Sequence, residues 1–257
     1  MLTNYHTHTT RCHHAFGEDE EYVLSAIRAG YDALGFSDHA PYFYNDGYVS
    51  YYKMTPEEAP EYISSVLALK EKYKDKIKIH LGLEAEYYPE IFEKSLDLWR
   101  KLGVEYVILG QHYVYKETKT REDAAAIPSS AEKLIRYTDR CIEAMETGKF
   151  SYIAHPDILN YVGDDEALYR REAKRLVECA VRCNVPLEIN LLGLKEGRNY
   201  PNKIFWEVAA PLNPTVIIGT DAHVPHVLEN TELRRAAVEF ADSYGLNLIE
   251  KLEFKPI

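Results

Sequence analysis

Cysteine is sparse in this 257-residue chain: Cys12, Cys141, Cys179 and Cys183 are too few and too scattered to build a disulfide framework. Long apolar runs are missing, since none approaches the ~18 residues that a membrane span requires. The opening stretch MLTNYHTHTT turns polar at once and does not read as a secretory signal. Positive charge is in deficit. Against 41 acidic side chains stand 30 basic ones, a formal net charge of −11, which argues against long nucleic acid or a membrane surface as the main partner. No Ser/Gly-rich linker marks a domain boundary. There is also no GxSxG elbow, no Walker loop and no Gly-rich dinucleotide fingerprint after a strand. What remains is the expectation of a cytoplasmic protein whose residues 1–257 form a single domain.

Short β-rich runs alternate with longer stretches of helical period. The expected strands are Leu2–His6, Ala33–Ser37, Ile77–Glu84, Tyr106–Gly110, Tyr152–Ala154, Pro186–Asn190 and Thr215–Gly219. Between them lie the amphipathic segments Pro56–Tyr73, Pro89–Leu102, Ala131–Thr147, Glu166–Cys183 and Glu229–Tyr244. Such alternation implies an α/β fold with a parallel sheet and helical crossovers. About seven βα units predict closure into a barrel, in which every strand's C-terminal end opens on one mouth.

The histidines collect at those ends. His6 and His8 close the first expected strand, Asp38 and His39 the second and His112 the fourth. His155 closes the fifth, and Asp221 and His223 the last; the third contributes Glu84. Side chains at i and i+2 of a strand share a face, so His6 with His8, and Asp221 with His223, can point at one ion. One HxH pair alone is as readily a surface pair or a satisfied core pair. Recurrence at six strand ends is what reads as a metal constellation, because imidazole and carboxylate are the ligands of zinc, manganese and iron. His80, His13 and His226 fall outside that register and read as neighbours, and Cys12 is left out.

The ordered motifs HTHT, SDHAP, GLEAEY, ILGQHY, AHPD and GTDAH resemble the PHP (polymerase and histidinol phosphatase) family, and within it the histidinol-phosphate phosphatase branch. The resemblance implies a distorted seven-stranded (β/α)7 barrel, TIM-like, holding three divalent metal ions, with zinc ahead of manganese or iron. It implies a first ion on His6, His8, Glu84 and Asp221. Glu84 would bridge to a second ion completed by His112 and His155, and His14, His39 and His223 would hold a third. His14 is chosen over His13 because the family's third histidine falls six residues after the HxH pair. Asp38, Glu84 and Asp221 are the expected catalytic carboxyl groups, Asp38 orienting His39 or handling a proton.

Three divalent ions against two carboxylate ligands leave the mouth electropositive, so it can attract phosphate although the chain is acidic. A hydroxide bridging two ions would attack phosphorus in line and release phosphate and an alcohol. The expected substrate is L-histidinol phosphate, a step of histidine biosynthesis. Another small phosphomonoester or a nucleotide end is the alternative within the same chemistry, and a noncatalytic metal-bound module the alternative outside it. Lys195 and Arg198, after the sixth strand, are the expected phosphate contacts. Lys195 stands where the branch carries arginine, and Asn160 where many relatives carry a basic residue. The loop Pro41–Lys53, with Tyr42, Phe43, Tyr44, Tyr48, Tyr51 and Tyr52, either packs on the barrel or leans over the mouth to stack on an imidazole.

Overall fold

Branched and aromatic runs become strands, and β3 reads this most plainly. The computed structural model describes residues 1–44 and 46–257; position 45, inside the tyrosine-rich loop, lies outside the described residues. Strands β1 (Thr3–Asn4), β2 (Ala33–Phe36), β3 (Lys78–Ala85) and β4 (Tyr106–Leu109) form one parallel sheet in that order. A second parallel sheet comprises β5 (Leu187–Asn190), β6 (Thr215–Gly219) and β7 (Asn247–Leu248). The helices are α1 (Asp19–Arg28), α2 (Ala59–Lys72), α3 (Phe92–Lys101), α4 (Ala131–Glu146), α5 (Glu166–Cys183), α6 (Leu191–Glu196), α7 (Lys203–Ala209) and α8 (Thr231–Ser243). Among the described residues, no helix is long and apolar enough to cross a membrane.

Along β3, Ile79, Leu81 and Leu83 belong to the main core, where they pack with residues of the helices, each contributing about 1.5–3 kcal/mol by burial. The alternate positions His80, Gly82 and Glu84 take the other face. That face meets a smaller core of Tyr5, Tyr106, Ile108, Tyr152, Ala154, Ile217 and Leu252. Tyr106 fills it, donating from its hydroxyl to the carbonyls of Tyr5 and Phe36 at 2.9 and 3.1 Å. Glycine at 82 is what admits the ring, since a Cβ there would stand 2.3 Å from it. Glu84 follows on the same face two residues later, so this aromatic packing ends just below the first carboxylate of the site.

Closure into a seven-stranded barrel does not occur. The pairing ladders break twice, leaving a four-stranded and a three-stranded sheet, although the α/β class stands. Tyr152–Ala154, expected as a strand, is reduced to single bridges from Ile153 to Leu109 and to Leu187. It stops there because His155 turns at once to φ 30°. At the other break, the unforeseen β7 takes the edge of β6 at Thr215 and Val216, which a closing first strand would need. Above it Thr220 donates its N–H to the Asn4 side chain at 2.8 Å rather than to a neighbouring main chain, and only a Thr7–Ala222 bridge follows.

Helices α4 and α5 begin at Ser130 and Asp165, whose side chains accept from the main-chain N–H groups of Lys133 and Leu168. Both expected spans are recovered nearly whole, whereas α1, α6 and α7 were not anticipated. The last two are six and seven residues long, too short to show a period.

Candidate metal centre

His6 and His8 leave β1 on one face, with ring centroids 5.2 Å apart. Each is held from behind by a carboxylate. His6 donates from Nδ1 to Glu188 Oε1 at 2.8 Å, and His8 from Nδ1 to Asp38 Oδ1 at 3.3 Å. A carboxylate can only accept, so each ring keeps a proton on Nδ1 behind it and turns Nε2 forward. Asp38, expected behind the His39 ring, stands behind His8 instead and accepts from the main-chain N–H groups of Thr9 and His39, at 3.2 and 2.8 Å.

Glu84 is the hub. His39 Nδ1 and His155 Nε2 each lie 3.0 Å from its carboxylate, and the Nε2 atoms of His6, His8 and His112 lie 3.4, 3.5 and 3.5 Å away. Asp221 approaches from the end of β6, in the left-handed region at φ 51°, with Oδ1 3.1 Å from His8 Nε2 and 3.5 Å from His6 Nε2. His223 and His14 meet through their Nε2 atoms at 3.0 Å. All nine residues read as ligands from the sequence are thus gathered in one place. His13 is not: its side chain is 43% exposed and lies 3.8 Å from Glu58. Cys12 is buried close to His14 and His223.

The atoms facing inward have the character of an ion's donor set. His6 Nε2, His8 Nε2, His39 Nδ1, Glu84 Oε2 and Asp221 Oδ1 are buried and make no aligned hydrogen bond, although His39 faces Glu84 and His8 faces Asp221 within 3.1 Å. An unmet buried polar group costs about 1–3 kcal/mol, and cations at this point would satisfy all five. The residue groups His6–His8–Asp221, His6–Glu84–His155 and His8–His39–His223 each bring three ligand atoms within 4.8 Å of one another. The residues present fit a metal cluster.

The electrostatics agree. Burial alone would raise the Glu84 pKa, but His112, His6 and His39 hold it well below the usual carboxylate range. Burial opposes charge on His6, yet Glu188, Asp221 and Glu84 hold its pKa well above that of ordinary histidine. Burial, reinforced by the charge on His8, pushes His223 down to about 3. The carboxylates therefore stabilise positive charge here, carried by protons or by metal ions.

A cavity of about 330 Å³ opens onto the cluster, lined by His14, His39, Glu84, His112, His155, Asp221 and His223. Its outer wall includes Tyr52, Lys53, Arg121, Arg198 and Tyr200. Of the two expected phosphate contacts, Arg198 borders the cavity, bound to Glu196 at 2.6 Å and to the Tyr200 hydroxyl at 2.8 Å. Lys195 sits exposed on α6 and does not line it, and neither does Asn160. Three of the loop's aromatics pack down, Tyr44 and Tyr48 donating to Glu117 at 3.0 Å and Tyr42 to the Glu86 carbonyl at 2.9 Å, while Phe43 and Tyr51 are exposed. Among the loop's described aromatics Tyr52 alone borders the cavity, edge-on to His14 and beneath the Arg121 guanidinium.

Sequence reasoning missed Arg121, Lys53, Glu86 and Glu188. Lys53 is buried between Glu86, 3.0 Å away, and Glu117. Glu86 accepts from His112 Nδ1 at 3.2 Å. The one available signal was Glu188 with Asn190, two polar residues sharing a face within an otherwise apolar strand.

The PHP domain family model matches residues 4–191. A probable histidinol-phosphatase of Deinococcus radiodurans is 28% identical, the match covering 87% of each chain. A probable histidinol-phosphatase of Schizosaccharomyces pombe is 24% identical over 98% of this chain and 90% of that protein. In fold, the chain is similar to histidinol phosphate phosphatase from Lactococcus lactis, solved with zinc, L-histidinol and phosphate: TM-score 0.72, 18% identity, 98% of each chain covered.

Proposed function

This chain belongs to the PHP domain family, and from that membership we propose that it hydrolyses L-histidinol phosphate to L-histidinol and inorganic phosphate. The observation that carries the reading is the set of five buried donor atoms around Glu84 that make no aligned hydrogen bond, opening on a cavity bordered by two arginines. In this reading three divalent ions, zinc first among them, are held by His6, His8, Glu84 and Asp221, by Glu84, His112 and His155, and by His14, His39 and His223. When bound, such ions supply Lewis acidity toward phosphate and a water of lowered pKa.

The chain's own groups do the remaining work. Glu84 and Asp221, kept ionised by the surrounding imidazoles, offset the charge of the cluster. Asp38, a hydrogen bond behind His8 and outside the cavity wall, fixes that ring and keeps its proton on Nδ1. Arg198 and Arg121 neutralise the phosphate from the mouth, and a bidentate guanidinium suits that task. Tyr52 offers its ring to the organic half of the substrate. The activity belongs with histidine biosynthesis in the cytoplasm, carried by residues 1–257 as one domain.

Product release by zinc-loaded protein tests this, with inorganic phosphate read from L-histidinol phosphate and glycerol phosphate, mononucleotide read from a dinucleotide, and metal content measured on the same sample. The expected result is fast release from L-histidinol phosphate that Asp221→Ala abolishes. Preference for either other compound would overturn the substrate assignment.

A further inference from the structure

Glu188 takes no part in the chemistry above, yet it is fully buried on β5 with both oxygens engaged. Oε1 accepts from His6 Nδ1 at 2.8 Å. Oε2 accepts from the His155 main-chain N–H at 3.0 Å and from Asn190 Nδ2 at 2.9 Å. Asn190 Nδ2 also donates to Asp221 Oδ2 at 3.1 Å, so three candidate ligands are tied to this one carboxylate, one of them through Asn190. The neighbouring strand is cut away to admit it: a Cβ at Gly219 would stand 1.6 Å from Glu188 Oε1.

We infer that Glu188 is a positioning residue that sets the donor geometry of His6, His155 and Asp221 for metal capture. It keeps the proton of His6 on Nδ1 and so leaves Nε2 free to ligate. It anchors the main chain of His155, which stands at φ 30°, a conformation that side-chain-bearing residues seldom adopt. Through Asn190 it fixes the Asp221 oxygen that faces away from the histidines. Only a carboxylate meets these demands, because donors approach both oxygens. A glutamine amide would satisfy one side and set an N–H against a donor on the other.

The inference rests on the metal-site reading of the cluster. It is tested by zinc affinity, measured by competition with a chromophoric chelator, in the wild type, Glu188→Gln and Gly219→Ala. The second variant keeps every charge and displaces the carboxylate sterically. The expected result is a roughly 10–100-fold loss of zinc affinity in each. In ¹⁵N-labelled, zinc-loaded protein, His6 should show a protonated Nδ1 and an unprotonated Nε2 in the wild type and lose that pattern in Glu188→Gln. A purely structural role would instead lower the melting temperature of metal-free protein and leave zinc affinity and the His6 signal unchanged, and that result overturns the inference alone. Wild-type protein that takes up no zinc would remove the metal-site reading and this inference together.

Discussion

Replacing Gly110 with alanine should cripple the metal centre without altering any candidate ligand. A methyl group at 110 would stand 2.0 Å from Glu84 Oε1 where ordinary contact begins at 3.4 Å, so the carboxylate would have to retreat by about 1.4 Å. It has nowhere to go, because five imidazoles surround it at 3.0–3.5 Å. Overpacking of this kind costs about 1–3 kcal/mol. Relieved by expelling Glu84 from the cluster, the same energy appears as lost metal affinity, roughly 10–100-fold at about 1.4 kcal/mol per decade. The assay is metal content after dialysis against graded chelator, with melting curves recorded with and without added zinc. Gly110→Ala should release its metal at lower chelator concentration and lose most of the stabilisation that zinc gives the wild type. Metal retention and zinc stabilisation equal to wild type would refute the assignment of Glu84 as the shared ligand.

Arg198→Ala should raise KM for the phosphomonoester several-fold while Lys195→Ala leaves it near wild type, because only the arginine borders the cavity; steady-state kinetics of the two variants decide this. Lys53→Met would leave Glu86 and Glu117 buried without their shared cation, a loss of about 3–5 kcal/mol that lowers the melting temperature by roughly 10 °C. Glu105 is held down to about 2 because its bonds from His80, Lys70 and the Leu81 N–H outweigh burial, which would raise it. Its folded pKa lies below its unfolded one, so its contribution is complete above about pH 4.5 and disappears as the pH falls through about 2. Since the side chain is 28% exposed, the contribution is about 1 kcal/mol, and Glu105→Gln should melt a few degrees lower than wild type at pH 7 with the gap closing in acid.

The candidate site was legible in the sequence because a strand end is a local feature. A run such as ILGQHY or IIGTDAH shows both the buried strand and the polar residue that follows it, and parallel topology then brings those residues together. His80 was rightly set apart: it pairs with Glu105 at 3.2 Å and packs edge-on to Phe254, away from the cluster. Closure of the barrel was not legible, because it depends on which strand takes the edge of β6, and Asn247–Leu248 is too short to show a period. The mouth was legible only in part. Arg198 and Lys195 look alike in sequence, and which of them faces the cavity is set by how α6 and the segment after it pack against Tyr200. Arg121 lies in a long connection where its own left-handed backbone, at φ 57°, turns it toward Tyr52. Glu188 was missed although its pairing with Asn190 on one strand face was visible, because a buried carboxylate's role is set by the donors that tertiary packing brings to it.

Anomalous X-ray scattering at the zinc absorption edge, from crystals of zinc-loaded protein, locates the ions themselves. Strong peaks are expected among His6, His8, Glu84, His155 and Asp221, with a further peak between His14, His39 and His223. Zinc peaks confined to surface histidines, with none beside Glu84, would contradict the metal-centre assignment.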